Sequence, residues 1–196
     1  MQHGLTTHAS FLAKVCEGSD PSAWAVFCAR YGRLIRGFAL RRGLQPVDAD
    51  DVVQEVLLTL TRSMPGFEYD PARGKFRSYL KTLTLRAIYK KTFQKREAVS
   101  LEDVGSVVAS AEGEEEVEAA WEQEWRQYHI DRAMNVVRME FNAHDLEAFE
   151  RYALNGESAA ETAETLGLSV DQVYQAKSRI VRRLGELIAR QVEEEG

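Results

Sequence analysis

The sequence predicts an all-α chain of two small helical modules joined by an acidic linker, the C-terminal module carrying a helix-turn-helix. Three observations predict it. Apolar residues recur at three- and four-residue spacing through most of the chain, and no alternating strand pattern interrupts them. Charge is sorted into blocks rather than scattered. Near the C-terminus, two helix-start signals flank a glycine at the spacing of a sharp helix-to-helix turn.

The 196 residues suffice for one ordinary domain or two small ones, and 44% apolar with 29% charged residues is a globular composition. The N-terminus lacks a signal-peptide pattern and no long apolar run occurs, so the chain is expected in the cytoplasm with no membrane contact of its own. Cys16 and Cys28 are too few for a disulfide framework and are expected as free thiols. The net charge of -6 conceals strong patterning. Tyr69 to Arg96 holds nine bases against one acid, and Asp171 to Arg190 holds five bases against two acids. Between them, Glu102 to Glu124 holds nine acids and no base. Two basic surfaces separated by an acidic segment suit a polyanionic partner such as DNA.

Residues 1–20 read as a flexible N-terminus. Asp20-Pro21 opens the first helix, since proline is tolerated in a first turn. Trp24, Phe27, Cys28, Tyr31, Leu34, Ile35 and Phe38 form its apolar stripe, which Gly43 ends. Asp48 is the expected N-cap of a second helix, with Val52, Val53, Val56, Leu57 and Leu60 on its inner face and Asp50, Asp51, Gln54, Glu55 and Leu58 elsewhere. Proline and glycine make residues 64–75 a loop that carries Phe67 and Tyr69. A third helix has Phe76, Tyr79, Leu80, Leu83, Ala87 and Ile88 on its apolar face, and Arg77, Lys81, Arg86 and Lys90 on the other. These elements make a first module over 21–97.

Residues 98–127 read as the acidic linker, with helical character toward Trp121 and Trp125. The second module spans 128–190, followed by a 191–196 tail. It begins near Tyr128, with Ile130, Met134, Val137 and Phe141 at helical spacing, and a shorter helix around Leu146, Phe149 and Ala153 ends at Asn155-Gly156. In the segment Ser158 to Val173, Ser158 with Glu161 and Ser169 with Gln172 each form a capping box. Gly167 sits at the turn between them, where positive φ is needed, and Ala163 is small where the helices cross. Val173, Ile180, Leu184, Leu187 and Ile188 face the core, leaving Tyr174, Gln175, Ser178, Arg179 and Arg182 outward. Arginine and glutamine at such positions can pair with guanine and adenine edges in the major groove.

With these motifs in this order, the chain resembles a bacterial RNA polymerase sigma factor of the extracytoplasmic-function (ECF) type. Asp48-Ala-Asp-Asp-Val-Val-Gln-Glu-Val-Leu-Leu58 is similar to the family's polymerase-docking helix, and Phe76-Arg-Ser-Tyr-Leu-Lys81 to the segment after its promoter-melting loop. The resemblance implies core polymerase binding by Asp51, Gln54, Glu55 and Leu58. It implies minus-10 contacts by Phe67 and Tyr69, which would hold an unstacked base. Lys75, Arg77, Lys81, Arg86 and Lys90 would grip phosphates. Tyr174, Gln175, Ser178, Arg179 and Arg182 would then read the minus-35 element. Core polymerase and promoter DNA are the implied partners, with an anti-sigma factor as a further one. The family more often has Trp at the Tyr79 position and Asn at the Arg86 position.

No chemistry of an enzyme is legible. Cys16, Cys28, His3, His8, His129 and His144 form no metal-ligand spacing, and Gly66 with Gly74-Lys75 does not make a phosphate loop. No cofactor or metal is expected. The competing reading is a helix-turn-helix regulator with an unrelated helical interaction module. The acidic segment also suggests that the chain masks its own basic faces when alone.

Overall fold

In a computed structural model, the chain is described over residues 21–64, 76–99 and 113–195, and at positions 12, 14, 15 and 17. The described residues form helices and no strand. We number them α1 (Pro21–Arg41), α2 (Pro46–Ser63), α3 (Phe76–Val99), α4 (Glu114–Glu140), α5 (Ala143–Phe149, continued by a π turn over Glu150–Leu154), α6 (Ala159–Leu166) and α7 (Val170–Glu195). The chain divides into two compact units. The first is Met1–Arg126 with Glu194–Gly196, the second Gln127–Glu193, so the boundary falls within α4.

In the first unit, α1 buries Phe27, Tyr31, Leu34, Ile35 and Phe38, most of its expected stripe, while Trp24 and Cys28 are only half-buried. Burial still raises the Cys28 thiol above its ordinary pKa. Val52, Val56 and Leu60 of α2 and Phe76, Leu80 and Ile88 of α3 complete this core. Phe76 meets Phe27 and Tyr31 edge-on, with centroids 5.9 and 5.4 Å apart, geometries that aromatic quadrupoles favour. The start of α2 differs from expectation. Gln45 is its N-cap and Pro46 takes the first helical position, which leaves Asp48 inside the first turn. Proline's fixed φ nucleates the helix three residues early, and Asp48 serves the helix dipole there.

The acidic stretch expected as a linker over 98–127 is helix from Glu114, and the first part of α4 packs into the first unit. Val117, Trp121 and Trp125 are buried, Trp121 edge-on to Phe38 at 5.0 Å. Two large indoles at i and i+4 supply the apolar face that overrides the solvated character of their acidic neighbours.

In the second unit, Ala133, Met134, Val137, Phe149, Ile180 and Leu187 form the core. Ile130, expected within it, is 41% exposed because the buried ridge runs through Ala133 and Met134 instead. Asn142 caps α5, accepting a hydrogen bond from the Asp145 backbone N–H at 2.9 Å. The π turn changes the helical phase after Phe149, so Ala153 ends exposed and Tyr152 half-buried. A smaller cluster of Ala159, Ala163 and Val173 joins α6 to α7, with Tyr152 and Leu168 against it.

Candidate nucleic-acid interface

The hairpin of α6 and α7 is built by local rules. Ser158 and Glu161 exchange side-chain and backbone hydrogen bonds, which also lower the Glu161 carboxyl below its usual range. Ser169 and Gln172 repeat the arrangement, at 2.7 and 3.2 Å. Between them Gly167 takes φ +65°, and the Leu168 N–H donates to the Ala163 carbonyl at 2.9 Å, the closure of a Schellman motif. Of the outward residues on α7, Gln175, Ser178 and Arg182 are exposed. Tyr174 is 48% exposed, with its ring edge-on to Tyr152 at 5.5 Å. Arg179 donates to Asp145 at 2.9 Å. Lys177 stays outward, its Nζ 5.2 Å from the Tyr152 ring centroid, while Ala176 takes the inward position. Further along α7, Arg183 grips Glu140 with two hydrogen bonds of 2.7 and 2.8 Å. That pairing lowers the Glu140 carboxyl and raises the guanidinium.

On the first unit, the candidate docking residues lie on the outer side of α2. Gln54 is exposed and Leu58 is 51% exposed. Asp51 and Glu55 are held in ion pairs by α3, Asp51 to Lys91 and Glu55 to Lys90 at 2.6 Å. Lys95 reaches Asp48 at 3.0 Å and is the main cause of its lowered pKa. The acidic face of α2 is thus laced to the basic face of α3.

The expected phosphate-gripping residues divide into two groups. Arg86 and Lys90 are exposed on α3. Arg77 and Lys81 are not on an open face: Arg77 pairs with Glu122 and lies 4.9 Å over the Trp125 ring, and Lys81 pairs with Glu118. Their expected outward position is corrected by α4, whose tryptophans carry its acids across the first turns of α3. Arg41, which the sequence reading passed over, joins them through Glu124 at 2.7 Å. Phe67, Tyr69 and Lys75 lie outside the described residues. Two further exposed aromatics, Tyr89 at 55% and Phe93 at 63%, stand beside Arg86 and Lys90. Their i, i+4 spacing off the Phe76–Leu80–Ile88 stripe is the signal that could have found them.

No described helix is long and apolar enough to cross a membrane. Residues 27–97, which lie in the first unit, match the family model of sigma-70 region 2. No curated protein matches the chain. Among solved structures the chain is similar to CnrH in complex with the cytosolic domain of CnrY, at 23% identity and a TM-score of 0.36, over 93% of this chain and 98% of that one.

Proposed function

We propose that this chain is a sigma factor of the ECF type: it binds core RNA polymerase, directs it to promoters, and helps melt the minus-10 element. The observation that carries the reading is the pairing of a match to sigma-70 region 2, over residues 27–97, with a capped two-helix turn built on Gly167. In this reading Asp51, Gln54, Glu55 and Leu58 dock the polymerase. Phe67 and Tyr69 hold the flipped base, while Lys75, Arg77, Lys81, Arg86 and Lys90 bind phosphates. Tyr174, Gln175, Ser178, Arg179 and Arg182 read the minus-35 element from the start of α7. The chain works in the cytoplasm, alongside the polymerase, and catalyses nothing itself. An anti-sigma factor as a further partner rests on the family resemblance alone.

Reconstituted transcription tests the proposal. Purified chain added to core polymerase is expected to start transcripts at discrete sites on genomic templates. A helix-turn-helix regulator would do nothing unless another sigma factor were present, and failure to associate with or redirect core polymerase overturns the reading. Within it, Glu55→Arg is expected to weaken polymerase association about tenfold. Glu55→Gln, which also breaks the Lys90 pair, is the control for losing that pair without reversing charge. An unchanged affinity of Glu55→Arg removes the docking assignment.

A further inference from the structure

The first turns of α4 carry Glu118, Glu122 and Glu124 onto three cations from two different helices: Lys81, Arg77 and Arg41. The fit is close, since the Glu124 carboxylate occupies the place a Cβ on Gly37 would need. Trp121 anchors the segment against Phe38, its indole N–H buried without a hydrogen-bond partner among the described residues. Arg77 and Lys81 are at the same time two of the side chains assigned to promoter phosphates.

We propose that residues 114–126 are a displaceable polyanion that occupies the cationic face of Arg41, Arg77 and Lys81, and that promoter DNA must expel it to reach that face. The inference rests on the sigma reading of this surface and adds its regulation. Both ligands are recognised by the same chemistry, carboxylate or phosphate oxygens on guanidinium and ammonium groups, so they exclude each other. The chain alone is closed at this face. Polymerase and promoter together supply the contacts that open it, and the competition raises the threshold for binding DNA without polymerase.

The test uses the full chain and a fluorescent 25-base-pair duplex with a single-stranded overhang, titrated at low salt. Glu118→Gln, Glu122→Gln and Glu124→Gln are combined to remove the charges at nearly constant shape. Each exposed pair shifts an equilibrium by about one and a half to fivefold, so the triple variant is expected to bind DNA about three to a hundredfold more tightly. Adding Arg41→Gln, Arg77→Gln and Lys81→Gln to it should erase the gain. In the wild-type chain bound to core polymerase, amide exchange over 114–126 should accelerate when promoter DNA is added. Unchanged affinity of the triple variant, or unchanged exchange over 114–126, overturns the latch. If Arg77→Gln with Lys81→Gln then still lowers promoter occupancy by the holoenzyme, the face binds DNA and only the latch is lost. If it does not, the DNA role of the face is lost with it.

Discussion

Replacing glycine by alanine at two places in the second unit should change its stability in opposite directions. A Cβ added at Gly167 or at Gly185 meets nothing within 4 Å, so crowding contributes at neither. The two sites differ in backbone. Gly167 has φ +65°, where an L side chain costs roughly 1–2 kcal/mol. Gly185 lies inside α7 without such a φ, and there alanine gains roughly 0.5–1 kcal/mol in helix propensity and reduced unfolded-state entropy. For a domain of about 60–100 residues, 1 kcal/mol moves Tm by roughly 4–8 °C. Gly167→Ala should therefore lower the melting temperature of this unit by about 4–15 °C, and Gly185→Ala should raise it by about 2–8 °C. Trp24, Trp121 and Trp125 all belong to the first unit, so tryptophan fluorescence would miss the transition. Amide exchange of peptides from 127–193 during denaturant unfolding resolves it. Gly167→Ala should also weaken minus-35 binding, because the helix pair must reopen its turn, while Gly185→Ala should leave it unchanged. Changes of the same sign at both positions would refute the left-handed turn, and with it the crossing of α6 and α7 on which the proposed reading face depends.

Two other predictions concern the same unit. Arg179→Ala should cost about 1–3 kcal/mol at one base pair of the upstream element. Asp145→Ala, which frees Arg179 from its 2.9 Å partner, should alter the preference at that same base pair. Binding selections with randomised upstream sequences check both, and unchanged preferences for both variants remove Arg179 from the readers. The Glu140 carboxyl is held below its ordinary value of 4.5, chiefly by its hydrogen bonds to Arg183. A carboxylate with a depressed folded-state pKa contributes stability that is present above the unfolded value and lost as pH falls through the folded one. Melting temperatures should thus fall below about pH 4.5, and Glu140→Gln should flatten that acid limb. Because the pair is partly exposed, the effect is expected to stay under about 1 kcal/mol. An equally steep acid limb in the variant would assign the loss to other carboxylates.

Much of this was written in local sequence. Helix-start signals at Ser158 and Ser169, the glycine between them and the stripe through Val173, Ile180 and Leu187 depend on neighbours within a few positions, and the structure realises each. The stripes of α1, α2 and α3 were legible for the same reason: a helix brings residues three and four apart onto one face whatever surrounds it. Where the local reading missed, a phase or a composition misled it. The π turn after Phe149 moved Ala153 outward, and Pro46 started α2 ahead of the expected cap. In α4 the apolar run Val117, Trp121, Trp125, Tyr128 was present in the sequence, hidden among acids that suggested a solvated linker.

The partner of that acidic helix was a different kind of information. Glu118, Glu122 and Glu124 meet bases 37, 45 and 83 positions away, and Asp48, Asp51 and Glu55 meet lysines 35 to 47 positions away. Sequence alone determined that the chain is helical, that it holds a two-helix turn, and that its charges come in opposing blocks. Which charges touch was decided by tertiary packing. Coulomb attraction is short-ranged in salt water and carries no address along the chain, so apolar packing selects the pairs: Trp121 against Phe38 for the acids of α4, and the buried faces of α2 and α3 for Asp48, Asp51 and Glu55.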